Sequence, residues 1–319
     1  MKTFTTLFSQ IVILGLLWFH CQNIQAQCTC DFEEVIDLPR SEMTNRYIPD
    51  DCTSMKYVKV NFHFMMKSDS TLNFTPYDDG NGNCEFTAYD YSEILMHYAN
   101  TMLSQNGHMN LPPNNNTPVL NRKYRLKLEG IYFHYDDNAY TYYLEPTNLN
   151  PSEIGYYSEN IGSEINVFFL YNNKGDNSGG AANTYANNNK VVKFKGAWQT
   201  YMNGGGNDGF WGNAWVLVHE TCHNMGLLHT MQNGDFCSDI NDGCSDTPLY
   251  SEIISQGLPD PCPTWNHNNL NMSNNLMDYS GYQVVTPEQL GRIHYTLMHD
   301  MFSYLYDDYC TIKIGRAHV

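Results

Sequence analysis

His219-Glu220-Thr221-Cys222-His223-Asn224-Met225-Gly226-Leu227-Leu228-His229 decides how the rest of this 319-residue chain is read. His219 and His223 lie four apart, so on a helix their imidazoles project from one face, a turn apart, and can reach one Zn²⁺. Glu220, beside the first of them, points toward the metal's open side. Gly226 can end the helix in a left-handed turn that swings His229 back as a third ligand from a different direction. The fourth tetrahedral position is left for water. With 12 His and 23 Gly in the chain, a shuffle would contain HExxH roughly once in fifty tries and HExxHxxGxxH roughly once in twenty thousand. An incidental His-rich helix is thereby a small minority reading. In metal-assisted hydrolysis such a zinc lowers the pKa of its water and polarises a carbonyl, and Glu220 takes the proton and passes it to the leaving group.

A second segment, Asn274-Asn275-Leu276-Met277-Asp278-Tyr279-Ser280, follows about fifty residues later. Alone, a Met between Leu and Asp reads as core packing. Behind HExxHxxGxxH, Met277 resembles the methionine-containing turn that underlies the zinc in the metzincin clan of metalloproteases. The order HETCHNMGLLHT, Ser245-Asp246-Thr247-Pro248, Pro261-Cys262-Pro263, NNLMDYS and Thr286-Pro287-Glu288-Gln289-Leu290-Gly291-Arg292 resembles the pappalysin family and its bacterial, cytophagalysin-like members over about residues 215–295. Upstream the resemblance is looser. Tyr57 to Phe64 looks like the family's first strand and Leu126 to His134 like its second.

The resemblance implies an α+β fold, a metzincin (zincin-like) catalytic domain over residues 53–313. A mixed sheet plus the zinc helix would form an N-terminal subdomain (53–229), and an irregular, disulfide-containing C-terminal subdomain would follow (230–313). It implies a zinc metalloendopeptidase acting on protein or peptide substrate, with His219, His223 and His229 on the metal and Glu220 as general base. Cys237 and Cys262 look like the disulfide that ties down the segment before the Met-turn. Tyr279 matches a tyrosine that some metzincins place near the zinc, and reads equally well as a core tyrosine. Gly179 to Asn187 resembles the edge strand of the family's cleft, in which Ala182, Asn183, Thr184 and Tyr185 would pair with extended substrate through main-chain hydrogen bonds; the rival is a Gly/Asn-rich loop. Asp235, Asp239, Asp242 and Asp246 fall within twelve residues, and oxygen-rich loops of this kind bind Ca²⁺. The stretch does not fit an EF-hand, because aligning Gly243 with the loop glycine puts Ser238 and Ile240 where ligands belong. Relatives bind calcium nearby, so a calcium site and a plain solvated acidic loop both stand. The chain departs from some members after Ser280, where Gly281-Tyr282-Gln283-Val284-Val285 runs straight to Thr286. That segment resembles the wall of the pocket for the residue after the scissile bond, so a preference for basic residues there does not carry over.

Composition bounds the rest. With 42% hydrophobic and 14% aromatic residues, the chain can bury a sizeable core. A net charge of −17 leaves no basic stripe for nucleic acid or anionic membranes. Residues 1–26 read as a secretory signal peptide with cleavage after Ala26, its apolar run too short to span a bilayer as a permanent helix. Bulky Trp18-Phe19-His20 before Cys21 disfavour lipoprotein anchoring. The expectation is a secreted, extracellular protein with no stable membrane insertion. Most of the remaining cysteines are then expected in disulfides, with Cys52–Cys84 and Cys244–Cys310 as guesses and Cys222 as a small buried residue. Residues 27–52 are a candidate short prosegment, in which Cys28 or Cys30 could block the metal, although a disulfide is the better reading. His63, His134, His267 and His294 lack partners at ligand spacing and read as surface or satisfied core groups. Residues 314–319 match the translation of a sequencing-adapter read and are expected to be non-native.

Periodicity predicts strands at 57–66, 124–134 and 164–170, an amphipathic helix at 89–103, a zinc helix at 211–227 and a last helix at 287–306. The alternative to an enzyme is a catalytically silent metzincin-fold binding module.

Overall fold

Strand β1 (Lys56–Met66) is buried along nearly its whole length, as a strand flanked on both sides must be. It pairs in parallel with β2 (Tyr124–Tyr135) on one side and β3 (Ile165–Leu170) on the other. β3 pairs in parallel with β5 (Asn189–Lys195), and β4 (Gly179–Tyr185) closes the row antiparallel to β5, giving the order β2-β1-β3-β5-β4. The sheet is therefore mixed, and the fold is α+β. The computed structural model describes residues 44–77, 86–112, 114–141, 154–173, 179–204, 206–230, 242–257, 273–278 and 282–306. The described residues form a single contact unit.

Side chains alternate across a strand, and the two faces of this sheet bury different things. Val58, Val60, Phe62 and Phe64 of β1, with Val167, Phe169, Val192 and Phe194, join the main core. Two helices cover that face, α1 (Ala88–Ser104) and α3 (Gly206–Asn224). Met65, Phe168 and Val191 point the other way, into a smaller cluster with Ala139 and Ile154. α1 starts where Thr87 and Asp90 cap each other's backbone N–H, at 3.3 and 2.9 Å. After the short α2 (Ala197–Met202) and α3, the chain forms α4 (Tyr250–Ser255) and α5 (Pro287–His299). Among the described residues no helix is long and apolar enough to cross a membrane.

The predicted elements are present, with three differences that have physical causes. β5 was not anticipated, because its Asn189-Lys190-Val191-Val192-Lys193-Phe194-Lys195 carries three lysines in a short run, yet Val191, Val192 and Phe194 are buried on opposite faces. α3 begins at Gly206, earlier than its apolar pattern, and ends at Asn224 because Gly226 takes φ +91°. α5 stops at His299, where the N–H groups of Asp300 and Met301 both turn onto Thr296 O and drop Met301 and Tyr304 into the core. Residues Thr44 to Ile48, inside the candidate prosegment, pack on α5. A Cβ on Gly291 would lie 2.4 Å from Thr44 O, and Tyr47 Oη meets His299 Nε2 at 2.7 Å.

Candidate metal centre

α3 carries His219 and His223 one turn apart, and the left-handed Gly226 brings His229 back beside them. The three Nε2 atoms lie 3.1, 3.1 and 3.0 Å from one another. Hydrogen bonding alone does not explain this trio. His219 Nδ1–H donates to Leu276 O at 2.8 Å and His223 Nδ1–H to Leu227 O at 2.9 Å. Each therefore turns an unprotonated Nε2 lone pair toward the other. Burial holds both imidazoles neutral, pushing His219 down to about 3 and lowering His223. Converging lone pairs repel unless a cation sits between them. Tetrahedral Zn²⁺ with N ligands at about 2.0–2.1 Å sets its nitrogens about 3.3 Å apart, close to the spacing here. The residues fit the zinc that the motif implies, and backbone carbonyls hold the ring orientations of two of the three ligands.

The turn beneath the histidines is tight. Asp278 N donates to Asn275 O at 3.2 Å, and the Asn275 side chain accepts from Met277 N at 2.8 Å. Its two middle carbonyls face the metal centre, Leu276 O taking His219 and Met277 O taking Thr230 N at 3.2 Å. Met277 is fully buried below. Glu220 sits between α3 and β4. Burial pushes its carboxyl up to about 7, partly offset by the N–H of Ala182. β4 comes so close that a Cβ on Gly180 would lie 2.6 Å from Glu220 Cγ. The structure thus brings His219, Glu220, His223, His229, Met277 and the edge-strand residue Ala182 together. Asn183, Thr184 and Tyr185 continue β4, which stands at the end of the sheet among the described residues.

Asp242 and Asp246 are engaged with protein donors. Asp242 accepts from Cys244 N, Thr247 Oγ1 and Gln289 Nε2 at 2.9, 2.7 and 2.9 Å. Asp246 accepts from Thr286 Oγ1 at 2.6 Å and Glu288 N at 2.9 Å, at the start of α5. Tyr279, Asp235, Asp239, Cys237, Cys262, Cys28 and Cys30 lie outside the described residues. Cys222 is buried on another face of α3, its Sγ 3.5 Å from Tyr124 Oη, and burial pushes its thiol up to about 11. His63 and His294 are satisfied core groups. His63 meets Asn166 Oδ1 at 2.8 Å and His134 Nε2 at 2.9 Å, and His294 Nε2 donates to Arg122 O at 2.9 Å. Sequence reasoning missed Trp215, whose ring lies 4.9 Å from that of His219. Its position four before the first histidine was the available signal.

Three imidazoles meeting on HExxHxxGxxH, a buried glutamate beside them and a tight turn beneath make the arrangement of a zincin-type metal site. Residues 160–298 match the family Peptidase_M43, described as pregnancy-associated plasma protein-A, a stretch that contains His219, Glu220, His223, His229 and Met277. It is 41% identical over 83 residues to an extracellular metalloprotease of Verticillium alfalfae, covering 24% of this chain and 28% of that protein. It is 35% identical over 97 residues to an extracellular metalloprotease of Aspergillus oryzae, covering 28% and 29%. The chain thus spans less than a third of the length of these relatives. Mature mirolysin of Tannerella forsythia in complex with a cleaved peptide aligns with a TM-score of 0.45 at 17% identity, covering 78% of this chain and 93% of that one.

Proposed function

We propose that this chain is a secreted zinc metalloendopeptidase that cuts proteins or peptides bound in extended form. The carrying observation is the meeting of three Nε2 atoms within 3.1 Å of one another beside a buried carboxylate. His219, His223 and His229 would hold the metal, with Met277 in the turn beneath. When bound, zinc supplies Lewis-acid polarisation of a carbonyl and acidifies water. The N–H of Ala182 orients Glu220, whose carboxylate takes a proton from the attacking water and delivers it to the nitrogen of the departing amine. β4, at the sheet's edge, aligns an extended peptide by main-chain hydrogen bonds through residues 182–185. Their closeness to Glu220 favours peptide over other substrates.

Export rests on the signal-like residues 1–26 and on relatives described as extracellular. The division at residue 229 and the limits of a prosegment belong to the same proposal, with the packing of Thr44 to Ile48 on α5 favouring a boundary before residue 44. Calcium at the Asp235–Asp246 stretch rests on its four closely spaced aspartates and on resemblance, and a role for Tyr279 on resemblance.

The test is cleavage of a quenched peptide library by the secreted protein, with and without a zinc chelator, beside Glu220→Ala. The expected result is chelator-sensitive cutting, abolished in the variant while its zinc content stays at wild-type level. A zinc-loaded wild type that cuts nothing would overturn the reading in favour of a binding module.

A further inference from the structure

Leu276 O and Met277 N belong to one peptide unit, so a planar trans bond sends them in opposite directions. On one side Leu276 O accepts from His219 Nδ1–H at 2.8 Å, and on the other Met277 N donates to Asn275 Oδ1 at 2.8 Å. Whatever fixes the Asn275 amide therefore fixes the direction of the carbonyl on which His219 rests. Gln289, in the first turn of α5, does so. Asn275 Nδ2 donates to Gln289 Oε1 at 2.8 Å and meets Met109 Sδ at 3.5 Å, while Gln289 Nε2 donates back to Asn275 Oδ1 at 3.2 Å. The same Nε2 also donates to Asp242 Oδ2 at 2.9 Å.

The polarity of this chain has one solution. Backbone N–H groups can only donate. Thr286 N, 3.1 Å from Gln289 Oε1, and Met277 N therefore fix which end of each amide is oxygen. One Gln289 N–H is then left over and requires an acceptor. Asp242 supplies it, its other oxygen being taken by Cys244 N and Thr247 Oγ1. Burial raises the Asp242 carboxyl, opposed by these three donors and by Arg292. Asp242, Asn275, Thr286 and Gln289 are all buried, and none of their side-chain atoms is left without a partner. Apolar residues would fill the same space with less desolvation. A fully matched polar chain gives instead a single rigid arrangement, and here it ends on a metal ligand.

We propose that Gln289 is a positioning residue for the metal centre: held by Asp242, it sets the Asn275 amide, and through it the Leu276–Met277 peptide that keeps His219 in ring orientation and in the Nδ1–H tautomer. Its Nε2 lone pair is thereby aimed at the metal. This deepens the hydrolase reading and rests on it. It also makes the stretch before α5 a support of the metal centre, although Asp242 lies far from the three histidines in the chain.

The test reads the metal apart from turnover. Zinc release into a competing chelator and the visible spectrum of the cobalt-substituted protein are measured for the wild type, Gln289→Met, Asp242→Asn and the double variant. Gln289→Met keeps the length and removes every bond. Asp242→Asn keeps the volume but turns a donor toward Gln289 Nε2, because Cys244 N retains the Asn oxygen. Each is expected to release zinc about 10- to 100-fold faster, with an altered cobalt spectrum and kcat reduced more than KM is raised. The double variant should be little worse than Gln289→Met, since both break one chain. Glu288→Ala, next in sequence but outside the chain, removes the bonds to Ser245; it should lower the Tm and leave zinc release and spectrum unchanged. Wild-type release and spectrum in either folded variant, or the same effects in Glu288→Ala, overturn the proposal. The expected zinc and cobalt results in a protein whose wild type cuts nothing would leave the positioning role standing and overturn the hydrolase reading instead.

Discussion

Gly180 shows how little space surrounds the proposed base. A Cβ there would stand 2.6 Å from Glu220 Cγ and 3.0 Å from both Glu220 Oε1 and Val216 Cγ1. Since Glu220 is held between α3 and β4, Gly180→Ala must displace the carboxylate, the strand or both. Displacements of about 1 Å at a reacting group cost about 10²-fold. The variant is expected to lose about 10- to 100-fold in kcat while binding zinc normally, which peptide kinetics and metal analysis on one preparation would check. Wild-type kcat in Gly180→Ala would mean the base does not sit where this geometry puts it. The histidines and Glu220 were legible in sequence, because one helical turn and one left-handed glycine fully specify their spacing. Gly180 was not, since a missing side chain acquires meaning only when β4 is laid against α3. Gln289 was silent for the same reason, its amide acquiring meaning only where α5 meets the Met-bearing turn.

At the scale of an element, α5 shows a polar segment serving packing. Thr286 caps the helix by accepting from Gln289 N at 3.3 Å, and Asp246 accepts both the Thr286 hydroxyl and Glu288 N. An oxygen-rich stretch that looks like a cation loop therefore spends Asp246 on a helix N-terminus, where a carboxylate is also favoured by the helix dipole. Asp246→Ala should cost about 1–2 kcal/mol of stability, and the same loss should be seen in calcium and in chelator by thermal unfolding. A loss present only with calcium would make Asp246 a ligand instead. The seam with the N-terminal segment has the same character: Gly291 lets Thr44 cross α5 at a distance no side chain permits.

For the whole molecule, acid is the informative stress. Burial is the main reason that His63 is lowered to about 3 and His294 to about 4, the latter helped by Lys56. Unfolded, each titrates near 6.5. Above that value both states are neutral and nothing changes. As pH falls from 6.5 toward 3–4, the unfolded chain takes up protons that the native state refuses, so stability falls. The slope is about 1.4 kcal/mol per pH unit for each such histidine at most. In a Glu220→Gln background, which removes a carboxyl that burial raises to about 7, urea midpoints between pH 7 and 5 should drop steadily, and His63→Gln should shallow the decline. A flat response across that window would mean these imidazoles protonate in place.

The sequence by itself determined the spacing of His219, His223 and His229, the helix that carries the first two, the Met-bearing turn and most strands of the sheet. These depend on local spacing, 3.6 residues per helical turn and two per strand, which a single chain displays directly. Only the tertiary structure decided that β5 enters the sheet, that β4 touches Glu220, that Asp246 caps a helix, and that Arg122 donates to the carbonyl of Gln283. Each of those is a meeting of segments far apart in the chain, set by which faces the core needs covered, and no periodicity along the sequence records it.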